Sequence, residues 1–209
     1  MVYTNPRLKG EKIGELYDAD YFKGHGFDKS IDYVREVDQY GKKKIDYTLN
    51  DWDADTIKSM LEEPSTSNPR LLEIGCGTGV FLAKAREHGF DCSGLELSSY
   101  AAEFVRKMGI PVETKAIEEA NFPDNSWDVI VMREVIEHLP HPKEALQTIH
   151  RWLKPGGVLF MATGNYDCPE RKLRGSDWFY FMPEGHLYYF SNQTMTKYLQ
   201  KVGFRTVRT

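Results

Sequence analysis

"LLEIGCGTG", residues 71–79, decides how this chain is read. An apolar run ends in glycines at 75, 77 and 79, so the backbone there can turn freely and come closer to a ligand than a side-chain-bearing residue allows. The run reads as a strand over 70–75, and "VFLAKAREHG" (80–89) as the helix behind it, with Gly89 just past the helix end where a left-handed residue is favoured. A glycine turn between strand and helix places backbone N–H groups at the carboxyl edge of a parallel sheet, where open α/β folds bind ligands.

The pattern repeats downstream. "DCSGLEL" (91–97) is a second strand, and "SSYAAEFVRKMG" (98–109) a helix capped by Ser98 or Ser99 and closed at Gly109. "PVETKA" (111–116) is a short third strand, and "WDVIVM" (127–132) a fourth whose unbroken apolar character suits burial on both faces. "HPKEALQTIHRWLKPGG" (141–157) reads as a helix with Pro142 in its first turn, ended by Lys154 and a Pro-Gly-Gly turn. "VLFMATG" (158–164) is the fifth strand. A long aromatic-rich stretch over 164–190 precedes a helix from Asn192 to Val202 and a strand starting at Phe204. Strands alternating with helices predict an α/β, Rossmann-like fold with a mostly parallel sheet and helices on both faces. Residues 1–69, with helical patches and a polar linker "EEPSTSNPR", read as an N-terminal helical cap, leaving 70–209 as the ligand-binding domain and 164–190 as its substrate-side insertion.

Composition narrows the classes of function. The 209 residues are 41% hydrophobic and 28% charged, as in ordinary globular proteins, and no window approaches the ~20 apolar residues of a membrane span. No secretory signal opens the chain, so the reading places it in the cytoplasm. Three scattered cysteines suit reduced structural thiols rather than a disulfide framework. A net charge of −4 and a pI near 5.9 argue against a nucleic-acid partner.

The glycine spacing is G-x-G-x-G, with Val80 where a dinucleotide-binding turn needs its last glycine, and no lysine follows as in a P-loop. Phosphate cradles are therefore disfavoured. Glu96 ends the second strand, 21 residues beyond Gly75, where an acidic side chain accepts hydrogen bonds from both hydroxyls of a ribose.

"LLEIGCGTGVFL", "GLELS", "FPDNSWDVIVMREVIEHLPHP" and "LKPGGVLFMAT", in this order and spacing, resemble the class I S-adenosylmethionine-dependent methyltransferases, most of all the small-molecule branch that includes the ubiquinone-biosynthesis O-methyltransferases. The resemblance covers residues 70–163 and, more loosely, 185–205. It implies S-adenosylmethionine as cofactor and S-adenosylhomocysteine as product. By that resemblance Gly75, Cys76, Gly77 and Gly79 pack against the methionine and ribose of the cofactor and Glu73 orders the loop. Glu96 holds the ribose hydroxyls, Leu97 lies against the adenine, and Ala116, Ile117 and Glu118 meet its ring and edge. Many members carry an aspartate where Ala116 stands. Met132, Arg133 and Glu134 fall near the methionine moiety and the transferable methyl.

Methyl transfer from a sulfonium asks the protein for alignment, desolvation and, for some acceptors, removal of a proton. His138, after the fourth strand, and His186, after the aromatic stretch, are the candidate catalytic bases. Trp178, Tyr180, Tyr188 and Tyr189 can wall an apolar or aromatic acceptor, or simply form a core beneath a long connection. Tyr21 and Phe22 can close over the cofactor. Glu134, Glu137, His138 and His141 invite a metal reading, but Pro140 and Pro142 break any helix that aligns them, so no metal is expected. The function predicted is methyl transfer to an oxygen or nitrogen of a small molecule, against two alternatives, a cofactor-binding regulatory module without catalysis and a macromolecular acceptor. The family sheet ends in a two-strand hairpin, and "GFRTVRT" has room for only its first strand. The exposed edge this leaves predicts a homodimer.

Overall fold

The computed structural model describes residues 1–4, 16–26, 32–42, 48–61 and 67–207. Strands are counted from β1 (Val2–Tyr3), which lies outside the main sheet. That sheet holds β2 (Arg70–Ile74), β3 (Asp91–Glu96), β4 (Val112–Thr114), β5 (Trp127–Arg133) and β6 (Leu153–Ala162) in the order 4-3-2-5-6. Every pairing within it is parallel. The strand order reverses between β2 and β5, so their carboxyl ends flank the crevice where such sheets bind ligands.

Side-chain alternation explains the burial. Leu71, Val129 and Val131 fill one face of the sheet, together with Phe81 and Leu82 of α3 (Val80–Glu87) and Val105 of α4 (Ser99–Lys107). Leu72, Ile130 and Met132 fill the other, against Leu146, Ile149 and Trp152 of α5 (Pro142–Trp152). The expected caps are in place: Ser98 accepts from the Ala101 amide, Gly89 and Gly109 adopt positive φ, and Pro142 opens α5. The N-terminal part contributes a helical turn over Tyr21–His25, α1 (Tyr33–Gly41) and α2 (Thr48–Met60). The segment 164–190 carries α6 (Pro169–Arg174) and β7 (Tyr188–Tyr189), and α7 (Asn192–Val202) follows with a capping box at Ser191 and Thr194.

Three expectations are corrected. The helix over 141–157 stops at Trp152, and the Pro-Gly-Gly turn belongs to β6, whose register jumps between Leu153↔Trp127 and Val158↔Val129. Lys154 closes that irregularity by donating to both carboxylate oxygens of Asp128 at 2.8 Å. No strand forms over 204–207. Gly203 at φ +108 turns the chain, the Phe204 amide bonds the Leu199 carbonyl, and the Phe204 ring packs on His150 with ring centroids 4.9 Å apart. The N-terminal part is not purely helical either, since β1 pairs antiparallel with β7, Val2 opposite Tyr189.

Candidate active site

The three glycines do different work. A Cβ on Gly75 (φ +68) would lie 2.4 Å from Val135 Cγ2, and one on Gly79 (φ +83) 2.9 Å from Val105 Cγ2, so these two exist for close packing. Gly77 (φ +53) is the open one, its nearest neighbour a Phe22 ring atom at 3.9 Å. The Gly77 amide donates to Glu96 Oε2 and the Ser98 amide to Glu96 Oε1, both at 2.8 Å. Glu96 is buried, which pushes its pKa up, while these amides pull it back toward the charged form. A carboxylate offers about four lone-pair sites, so roughly two remain for outside donors.

Beside it, Glu73 Oε1 accepts from Arg133 Nη2 at 3.1 Å, and Arg133 Nη1 reaches Asp53 of α2 at 3.4 Å. The guanidinium also stacks on Phe81, 4.2 Å from its centroid. Burial raises the Glu73 carboxyl to about 7, against the opposing pull of Arg133. Glu73 Oε2 is buried with no hydrogen-bond partner among the described residues. A ligand bearing hydroxyl donors and an ammonium group, as S-adenosylmethionine does, therefore fits this edge. Of the other residues assigned to the cofactor, Leu97 is exposed and Ile117 is buried at the core margin, with half-buried Ala116 and exposed Glu118 beside it. The Cys76 and Met132 side chains point into the two cores, so only their backbones are available at the edge. The Arg133 side chain is engaged with Glu73, Asp53 and Phe81.

On the β5 side a second group converges. Glu134 leaves the strand at φ +52, an unusual conformation for a residue with a side chain. Ile136–His138 then form a single 3₁₀ turn. His138 Nδ1 donates to the Gly185 carbonyl at 3.0 Å and His186 Nδ1 to the Tyr180 carbonyl at 2.9 Å, with ring centroids 4.7 Å apart. The Leu187 amide bonds the Glu137 carbonyl, and Thr4 donates through its hydroxyl to the His186 carbonyl at 2.7 Å. Tyr180 Oη lies 2.5 Å from Glu134 Oε2 and also bonds Glu137 Oε1, while Thr163 donates to Glu137 Oε2. Burial lowers both imidazoles, His186 to about 4, and burial with the neighbouring Glu137 raises Glu134 to about 7.

The sequence brought His138 and His186 forward as candidates, and they stand side by side. The fold gathers Glu137, His138 and His186 from two segments rather than from one helix, with one nitrogen or carboxylate oxygen of each all within 4.8 Å of one another. His141 is apart from them, as the residue before α5. Among the aromatic wall residues, Tyr180 alone puts its hydroxyl into this group. Trp178 and Tyr189 are buried with it in a small core, and Tyr188 donates to the Pro140 carbonyl. Phe22 lies nearest the glycine turn, meets Tyr33 edge-on and packs at a tilt against Tyr100. Tyr17, Asp53 and Thr163 escaped the sequence reading. Tyr17 meets the His138 ring edge-on at 6.0 Å, and burial, with the neighbouring Tyr21, Glu137 and Glu96, raises its pKa.

Comparison with known proteins agrees with the geometry. A family model described as a methyltransferase domain matches residues 33–209. The ubiquinone biosynthesis O-methyltransferase of Bordetella avium is 29% identical over 112 residues, 48% of this chain and 45% of that protein. Its namesake from Vibrio cholerae is 30% identical over 105 residues, 46% of this chain and 42% of that protein. The chain thus spans about half the length of the curated relatives it matches. A SAM-dependent methyltransferase of Thermotoga maritima superposes with a TM-score of 0.59 at 25% identity, covering 82% of this chain and 79% of its own. One from Archaeoglobus fulgidus shares the fold at a TM-score of 0.64 and 22% identity, over 85% and 76% of the two chains. With 177 of its residues inside the family model, the chain belongs to the methyltransferase-domain family, of the S-adenosylmethionine-dependent kind.

Proposed function

We propose that this chain transfers a methyl group from S-adenosylmethionine to an oxygen of a small-molecule acceptor. The observation that carries the reading is the Glu96 carboxylate, fixed by the Gly77 amide at 2.8 Å with acceptor capacity left over beside an unobstructed glycine. A buried anion of this kind takes hydroxyl donors and repels phosphate. We assign the ribose to Glu96 and the methionine end to Gly75, Gly77, Gly79 and Glu73, with the adenine over Leu97, Ala116, Ile117 and Glu118 and the backbone of Met132–Glu134 at the methyl.

Bound there, the cofactor supplies an activated methyl with its leaving group attached. The chain's share is to align the acceptor, exclude water and receive a proton. Tyr180, Trp178, Tyr188 and Tyr189 bound the acceptor side. The proton of a hydroxyl acceptor leaves toward the carboxyls and imidazoles gathered at that edge, Glu134, Glu137, His138 and His186. The printed names of the Bordetella and Vibrio relatives, O-methyltransferases, support oxygen as the acceptor atom in this reading. Residues 1–69 and the insertion 164–190 would act as a two-part roof on the domain, joined through β1 and β7. No helix among the described residues is long and apolar enough to cross a membrane, and we assign the chain to the cytoplasm, with the β6 edge as its dimer surface.

Calorimetric titration with S-adenosylhomocysteine tests the donor half. Glu96→Gln removes a charge-assisted hydrogen bond of about 1.5–3 kcal/mol, so affinity should fall roughly ten- to hundredfold. Unchanged affinity would refute the assignment. Methyl-labelled cofactor offered with hydroxylated and amino-bearing small molecules tests the acceptor half, and label found only on nitrogen would overturn the oxygen reading.

A further inference from the structure

The Glu137, His138 and His186 group is built in a way that proton transfer alone does not require. Each imidazole spends its Nδ1–H on a backbone carbonyl, Gly185 for His138 and Tyr180 for His186. A carbonyl cannot donate, so both rings are the tautomer whose Nε2 carries a lone pair. Fixing Nδ1 on a carbonyl while Nε2 is presented is how proteins orient imidazole ligands to a metal. The oxygens tell the same story by counting protons. Tyr180 Oη contacts Glu134 Oε2, Glu137 Oε1 and Thr163 Oγ1, while Thr163 spends its own proton on Glu137 Oε2. The Glu134 and Glu137 carboxyls thus share a few protons with the Tyr180 and Thr163 hydroxyls, and no Lys or Arg contributes a hydrogen bond to these oxygens in the described structure.

We propose that Glu137, His138 and His186 bind a divalent transition-metal cation, with Glu134 as the adjoining carboxylate and at least one coordination position open toward the glycine turn. Two imidazoles and a carboxylate select zinc, cobalt, manganese or ferrous iron over magnesium or calcium. Three protein ligands and an open position is the plan of a catalytic rather than a structural site. An acceptor hydroxyl bound there loses its proton more readily, to the Glu134 carboxylate next to it. This last step rests on the methyl-transfer reading above; the binding of the cation does not.

The test uses the full chain, treated with EDTA and dialysed, titrated with cobalt chloride without cofactor or acceptor and followed by visible absorption and calorimetry. One cobalt per chain is expected, with His186→Gln and Glu137→Gln each weakening it at least about a hundredfold and His141→Gln, an exposed histidine outside the group, leaving it unchanged. Retained S-adenosylhomocysteine binding shows that a variant is folded. Should both ligand variants fail to fold, manganese broadening of the His138 and His186 ring signals in the unmodified chain decides the matter. Absence of stoichiometric cobalt binding, unbroadened ring signals, or full cobalt affinity in a folded His186→Gln chain overturns the proposal. Cobalt binding without S-adenosylhomocysteine binding supports it and sinks the function reading instead.

Discussion

Gly75→Ala is expected to damage the fold through one contact, and that contact can be removed independently. The new Cβ would sit 2.4 Å from Val135 Cγ2, far inside the 3.5–4.0 Å at which carbons rest, at a φ of +68. A left-handed conformation costs a side-chain-bearing residue about 1–2 kcal/mol and overpacking another 1–3, so the variant should lose roughly 2–5 kcal/mol. Val135→Ala alone removes two methyl groups of a half-buried side chain, at most about 1.6 kcal/mol. Together the two should cost less than their sum by about 1–3 kcal/mol, because the overlap no longer exists while the φ cost remains. Urea denaturation of the four proteins, followed by tryptophan fluorescence, gives the cycle. Gly77→Ala is the internal contrast: with its nearest neighbour at 3.9 Å it should cost only the conformational term, yet impair binding of S-adenosylhomocysteine. Additivity of Gly75→Ala and Val135→Ala within about 0.5 kcal/mol would refute the account of how the ends of β2 and β5 meet.

Two further outcomes follow from buried groups. The Glu73 carboxyl rises from 4.5 to about 7 on folding, so between those values the folded chain holds the proton that the unfolded one has released, and stability falls as pH rises. The difference in unfolding free energy between the parent and Glu73→Gln should decline by roughly 3 kcal/mol from pH 4.5 to 7.5, and parallel profiles would exclude this role. Burial lifts the Cys92 thiol to about 12 and the Cys76 thiol well above its ordinary value, whereas Cys168 is only half-buried. Thiol titration at pH 8 should label Cys168 quickly and the other two only in denaturant, as read by peptide mass mapping.

Those parts of the fold written in local chemistry were legible from the sequence. Ser98, Gly89, Gly109 and Pro142 mark helix ends within one or two residues, and the apolar run "VIVM" of β5 declares a strand covered on both faces. The glycine turn and Glu96, singled out in the sequence, do meet in the fold, where the Gly77 amide donates to Glu96. What escaped depends on distance along the chain. Arg133 meets Asp53 across 80 positions and His138 meets Gly185 across 47, and no periodicity encodes either meeting. The β1–β7 pair has two residues a side, too short to leave a pattern. The strand expected at Phe204 failed for another reason: its ring had a better partner in His150 than in an exposed sheet edge. The nearness of Glu137 and His138 to His186 is of the same kind, since a 3₁₀ turn and a distant loop bring the three together.

The two halves of the site hang on supports of unequal stiffness. Glu96 and the glycine turn are extensions of β2 and β3, strands enclosed on both faces, whereas Tyr180 and His186 ride on a 27-residue connection from 164 to 190 that shows Leu173 and Phe179 to solvent. On the proposed assignment, rewriting that connection, by drift or by design, exchanges one acceptor for another without disturbing the strands that carry Glu96 and the glycine turn. This chain is accordingly a candidate scaffold for grafted acceptor pockets, with residues 170–184 the natural place to cut and splice.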